Sequence, residues 1–430
     1  MKGMIEKNHH LPGMNVHTVK TDKYKTNTLV LMLKAPLSNE TVANRALLPQ
    51  VLQSSTAGFP SRKQFREKLD SMYGAMLTTD VQKKGEQHVI TLRIDVANER
   101  FLSDSTPLFH QAIELLGEVL LNPHVEGKGF TTSAVENEKR ALIQKIQSVY
   151  DDKMRYANVR ITEEMCKDEP FRLTAFGTEQ QVETLSSESL YDYYQTLLNT
   201  DRIDLYMIGA ISEEDALQKV TEVFGKLSSR QASLGDGRPS SPSPEVRNEN
   251  VVHEEQDVKQ GKLHIGFRTY TTYADADYVA MQVCNGLFGG FSHSKLFINV
   301  REKESLAYYA ASRYESHKGI LVVMAGIEFS KYERAVTIIK EQLKTMQSGE
   351  FTEKEVEQTK AMLKNQILET VDVARGHVEI SYHQVVSGYN RSLEQWIEEI
   401  DAVTKEDMIR VAKKIKLDTI YFLKGREESQ

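Results

Sequence analysis

Hydrolysis at a metal centre needs imidazole, carboxylate or thiolate donors grouped at fixed spacing. The histidines of this sequence form no such group. His9 and His10 are adjacent in an N-terminal stretch with no acidic cluster beside them. His377 and His383 have Glu379 between them but miss the i, i+4 spacing that brings two rings to one helix face. Cys166 and Cys284 lie far apart and outside any CxxC pattern, so neither a thiolate zinc site nor a disulfide framework is supported. Flexible and reactive residues concentrate instead in Asn285 to Tyr309, NGLFGGFSHSKLFINVREKESLAYY. Gly289 and Gly290 permit backbone angles that other residues avoid, and Leu296, Val300 and Ala307 keep helical spacing. The pattern predicts a loosened turn between two amphipathic helices, then a strand from Tyr308. Arg301 and Tyr308 therefore stand at opposite ends of a short helix-to-strand transition. By residue type alone they read as a surface ion-pairing arginine and a tyrosine at the edge of a core. His293 lies in the glycine-rich turn and is a candidate contact because loops often carry binding groups.

The elements that must hold this stretch repeat an order already present in the first half. Thr28 to Leu33 is a continuous apolar run suited to a buried strand. Val42 to Gln53 reads as a helix interrupted by Pro49. Ser61 to Gly74 reads as an amphipathic helix with Ser61 as cap and Phe65, Leu69 and Met72 on one face. Met76 to Lys83 and Gln87 to Val96 alternate as an antiparallel pair. Helices are expected over Thr106 to Leu121, Ser133 to Lys167 and Ser187 to Asn199, with a strand at Asp204 to Gly209 feeding an acidic helix start after Ser212. After Asn250 the order restarts: a strand at Leu263 to Phe267, helices at Asp277 to Leu287 and Ser294 to Leu306, and a hairpin of Tyr308 to Arg313 with Gly319 to Ile327. Helices at Lys331 to Met346 and Thr352 to Asp372 and a closing strand at Thr419 to Phe422 complete it. The expected fold is α+β, in two homologous halves, each a mostly antiparallel sheet with helices packed on one face. A free face or strand edge of such a sheet can accept an extended peptide.

Length and composition set the outer bounds. At 430 residues the chain exceeds one ordinary core. Between Ser228 and Asn250 prolines, glycines, serines and charges replace apolar residues, which predicts a linker over 228–250 between domains at 1–227 and 251–430. A net charge of -7 without a long basic run argues against nucleic acid as the main partner. The longest apolar runs fall well short of a membrane span. The N-terminus has an acid where a secretory core would lie, and with two unpaired cysteines a cytoplasmic location is expected.

The run from Leu287 to Tyr308, LFGGFSHSKLFINVREKESLAY, resembles the C-terminal-half signature of the pitrilysin/insulinase family of zinc metallopeptidases. The resemblance extends through the order of elements and implies an architecture like that of the mitochondrial processing peptidase. It implies that Arg301 and Tyr308, presented beside Gly289 and Gly290, bind the substrate backbone and stabilise an oxyanion. Active relatives also carry an H-x-x-E-H motif on the first helix of the first half and a glutamate ligand on a later helix. Matching the Phe59-Pro60-Ser61 and Leu69 to Ala75 runs places that motif at Ala46 to Gln50. The two histidines become Ala46 and Gln50, the general base becomes Pro49, and Lys145 takes the place of the glutamate ligand. Glu138 matches an upstream acid and is carried over as a structural carboxylate, with Lys139 or Arg140 as expected partner.

A protonated lysine has no lone pair to offer a dication. The resemblance therefore points to the non-catalytic member of a two-subunit enzyme. On that reading this chain is a substrate-binding, oxyanion-stabilising subunit acting on peptides, with no metal of its own and with zinc on a homologous subunit that keeps an intact H-x-x-E-H. The alternative is a peptide-binding or assembly protein, possibly homodimeric, with no role in proteolysis.

Overall fold

The computed structural model describes residues 6–104, 106–229, 244–246, 248–304 and 306–426. Most of the expected linker, residues 230–243 and 247, lies outside the described residues, as do residues 1–5 of the N-terminal stretch. The chain divides into two compact units. The first comprises residues 1–147, 173–236 and 371–381; the second comprises 148–172, 237–370 and 382–430.

The first unit is built on a six-stranded sheet of β1 (Glu6–Leu11), β2 (Met14–Lys20), β3 (Thr26–Pro36), β4 (Met76–Lys84), β5 (Gln87–Ala97) and β8 (Arg202–Gly209). A two-residue ladder of β6 (Val125–Glu126) and β7 (Gly129–Phe130) stands apart from it. The order from one edge is β4-β5-β3-β8-β2-β1, antiparallel except for the β2/β8 pair. Alternation along the strands sends Leu29, Leu31, Leu33, Ile90, Leu92 and Met207 to one face. There they meet the apolar stripes of helices Val42–Ser54, Leu108–Leu121, Ser187–Thr200 and Glu213–Phe224 in one continuous core.

The second unit repeats this plan with β9 (Asn250–Gln256), β10 (Gly261–Arg268), β11 (Ala307–Glu315), β12 (Ile320–Ile327) and β13 (Lys416–Gly425). Its order is β11-β12-β10-β13-β9, again antiparallel except for the pair that joins the outermost strand, β9, to the closing strand, β13. Strand for strand this is the order β4-β5-β3-β8-β2 of the first unit, with β1 as an addition. The two halves are thus mixed α+β copies of one topology. Ala157 and Ile161 of helix Lys153–Met165 pack on Tyr421 and Leu423 of the second sheet. Gly266 allows that approach, since a Cβ there would lie 2.7 Å from the Met165 sulfur.

Several local expectations are corrected. Pro49 does not interrupt the first helix, which runs unbroken from Val42 to Ser54. Proline removes one hydrogen bond, and buried Leu47, Leu48, Val51 and Leu52 hold the segment against the core regardless. The long helical stretch at 133–167 is two helices, Thr132–Asp151 and Lys153–Met165. The side chain of Asp152 ends one and caps the next by accepting from the N–H groups of Met154 and Arg155. The stretch 294–306 is a widened π-type turn over Phe297–Lys303 rather than a regular α-helix. Strands β1, β2 and β9 and helices Ala374–Ser387, Leu393–Ala402 and Lys405–Lys414 are additional to the elements expected.

Candidate functional site

In the first unit, the residues matched to the metal motif lie on helix Val42–Ser54 and on helix Thr132–Asp151. The first of these helices is fixed by Arg45, whose guanidinium is fully buried and bonded to Asp201 at 2.6 Å and to the carbonyls of Leu33 and His88 at 2.9 Å. Ala46 offers a buried methyl group and Pro49 a ring. The Gln50 amide donates to Thr79 Oγ1 at 3.0 Å; Thr79 donates on to Gln53 Oε1 at 3.0 Å, and Gln53 donates to the Leu77 carbonyl at 2.9 Å. Lys145 holds its ammonium 4.0 Å over the Phe176 ring. A methyl, a ring, an amide already engaged with β4 and a cation do not make a zinc shell. Among the described residues no three His, Cys, Asp or Glu side chains are grouped to hold a metal ion.

Beside these positions is a cleft of about 590 Å³ whose walls include Gln50, Gln53, Arg62, Phe65 and Glu138. Glu138 is buried and pairs with Arg62. The expected partners point elsewhere, Lys139 to Glu136 at 3.0 Å and Arg140 to Asn137. Burial of Glu138 on the inner face of the second helix, beside Arg62, accounts for the change. Thr79 and Gln53 were not singled out from sequence. The available signal was that Thr79 shares a strand face with Leu77 and Val81, and therefore points to the helical layer.

In the second unit the turns Gly286–Gly290 and Phe297–Lys303 both pack against β11. Neither Gly289 nor Gly290 adopts a positive φ. Gly289 is needed for space: a Cβ would lie 2.6 Å from Ser312 Oγ and 2.7 Å from the Ser312 backbone nitrogen. Ser312 in turn donates to Asn285 Oδ1 at 2.7 Å. His293 stacks on Phe291 and its Nε2 lies 2.8 Å from Thr359 Oγ1, so its ring is engaged within the unit. Burial lowers its pKa, favouring the neutral form.

Arg301 lies toward the end of the second turn. Its guanidinium is 4.7 Å over the Phe297 ring and its Nε is 3.6 Å from Glu302. With 43% of the side chain exposed, this is a loose pairing. Tyr308 occupies a β-bulge between Ala307 and Tyr309 on the edge strand β11. Its residue is 67% exposed, and its hydroxyl makes no hydrogen bond among the described residues. Tyr309 faces inward against Gly326. Burial pushes its phenol up to about 12. The structure thus brings Gly289, Gly290, Arg301 and Tyr308 onto adjoining elements of the second unit. Ala46, Pro49, Gln50 and Lys145 belong to the first.

Two sheets of the same strand order, each in its own unit, define a two-half α+β protein. Residues 184–363 match the family described as "Peptidase M16 inactive domain". The chain is 47% identical over 415 residues to "Probable inactive metalloprotease YmfF" of Bacillus subtilis (strain 168), with 96% of each chain covered. It is 25% identical over 320 residues to "Mitochondrial-processing peptidase subunit beta" of Saccharomyces cerevisiae, covering 70% of this chain and 66% of that one. A conserved protein from Enterococcus faecalis V583 superposes with a TM-score of 0.90 at 31% identity, over 99% of this chain and all of the other. The peptidase M16 inactive domain from Pseudomonas fluorescens shares the fold, with a TM-score of 0.80 at 16% identity and 99% of each chain covered. The chain belongs to the peptidase M16 family, the pitrilysin/insulinase group, and is a homologue of an inactive metalloprotease.

Proposed function

We propose that the chain is the substrate-binding, oxyanion-stabilising subunit of a heterodimeric zinc peptidase that acts on peptides in the cytoplasm. The observation that carries this reading is the contrast between Tyr308, exposed on a bulge with an uncommitted hydroxyl, and Gln50, whose amide is tied to Thr79. A phenol that donates its proton in a hydrogen bond to a developing oxyanion stabilises the transition state more than the ground state. Arg301, only loosely held by Glu302, is able to bind a substrate carbonyl or carboxylate through its planar fork. The strands β4 and β11 each form one edge of their sheet, and a free edge is where an extended peptide adds by main-chain hydrogen bonds. Bond cleavage belongs to the partner, a homologous chain with an intact H-x-x-E-H. The likeness to a protein named as one subunit of a processing peptidase supports a multi-subunit arrangement.

Affinity capture of the tagged chain from its native cell tests the pairing. Recovery of a homologous chain with an intact H-x-x-E-H is expected. Recovery of copies of this chain alone, with peptides bound but no peptidase activity on adding such a homologue, would favour the homodimeric binding protein instead.

A further inference from the structure

On the first unit's sheet, the residues that alternate with the core positions of β3, β4 and β5 face away from the helical layer. Together with residues 375–379 of helix Ala374–Ser387 they enclose a cavity of about 250 Å³. Pockets for drug-sized ligands run to about 300–1,000 Å³, so this one fits a smaller molecule. Four of its charged groups are Asp80, Arg93, Arg375 and Glu379. Two are committed within the protein: Arg93 to Asp95 at 3.0 Å and Glu379 to Lys84 at 2.8 Å.

Asp80 and Arg375 remain, opposite in sign and lining the same space. Neither has an ion-pair partner within 4 Å among the described residues, and both are exposed. Asp80 uses one carboxylate oxygen to accept from the Val81 N–H at 2.9 Å, which leaves the other uncommitted. Val30, Met32 and Val378 supply an apolar wall, and methionine adapts to varied shapes.

We propose that this cavity binds a small zwitterion with an apolar side chain, of the free amino-acid or dipeptide class. Arg375 takes the carboxylate and Asp80 the ammonium. The apolar group lies against Val30, Met32 and Val378. The site is contained in the first unit and does not depend on Arg301, Tyr308 or a partner subunit.

Calorimetric titration of the full chain with leucine, leucyl-leucine and N-acetyl-leucinamide tests it. Binding of leucine or of the dipeptide is expected, and whichever binds more tightly identifies the source. The neutral amide lacks both charges and is expected not to bind. Arg375→Ala and Asp80→Asn, both on the surface, should each weaken binding by about tenfold or more, with circular dichroism unchanged. The proposal is overturned if neither zwitterion binds at millimolar concentration, if the amide binds as well as leucine, or if both variants bind like the parent.

Discussion

Arg45 carries a full charge with no exposed surface, and it is held by one carboxylate, two carbonyls and the Tyr193 hydroxyl. Removing one partner of a buried ion pair leaves the other charged and unsolvated, at about 3–5 kcal/mol. Arg45→Met should therefore destabilise the protein by about that amount in urea unfolding; a change within experimental error would mean that other contacts or water satisfy Asp201. A second buried set makes stability depend on pH. Burial works against the His17 imidazolium, but Asp204 at 3.1 Å from Nε2 and Glu6 at 3.0 Å from Nδ1 outweigh it and raise the pKa above 6.5. Burial likewise works against the Glu6 carboxylate, yet His17, His377 and Ser381 bring it down from 4.5 to about 2. Asn8 also faces the ring, and Arg202 pairs with Asp204. The histidine contribution is complete below pH 6.5 and fades as pH rises through the raised folded-state value. The Glu6 contribution is present above pH 4.5 and fades as pH falls toward 2. His17→Gln should lower stability at neutral pH and flatten the loss on the alkaline side, seen as urea midpoints that converge with those of the parent as pH rises. Parallel curves would show that His17 is neutral throughout. At this scale Tyr308 could not be told from Tyr309 by strand alternation, because a bulge between Ala307 and Tyr309 breaks the period there, and the Glu138–Arg62 pair could not be found, because it joins two helices far apart in sequence.

Among elements, the glycine-rich turn gives the sharpest contrast. A methyl group at Gly289 meets backbone on β11, but one at Gly290 comes no closer than 3.3 Å to the Asn285 carbonyl. Gly289→Ala should cost about 1–3 kcal/mol of stability as the turn is pushed off the strand. Gly290→Ala should cost less than half of that in the same thermal or urea melts. Equal losses would mean that conformational freedom, not space, selects glycine there. Most helices and the central strands were legible because their apolar residues repeat at the period of the element that buries them. The edge strands β1 and β9 were not, nor was β2 beside β1, whereas the edge strands β4 and β11 were. In β1, EKNHHL, and β9, NVVHEEQ, one side faces solvent and polar residues dominate, so they read as loop. Pro49 misled in the opposite direction: the rule that proline breaks a helix gives way where the rest of the segment is buried.

Across the whole molecule, two sheets with one strand order bear out the repeat read from the succession of elements. The packing of helix Lys153–Met165 on the second sheet, rather than on the first with which it is contiguous in sequence, leaves no periodic trace. On the proposed reading the chain contributes binding and polarisation through Arg301 and Tyr308, and the partner subunit activates water. The most direct test is peptide turnover by this chain mixed with the homologue from the same cell that carries an intact H-x-x-E-H. Activity is expected only in the mixture, with Tyr308→Phe lowering kcat by about 100-fold, the scale of losing one oxyanion donor, and Arg301→Ala lowering kcat/KM while assembly is retained. Zinc-dependent hydrolysis by this chain alone, or a mixture whose turnover is indifferent to both substitutions, would contradict the division of labour.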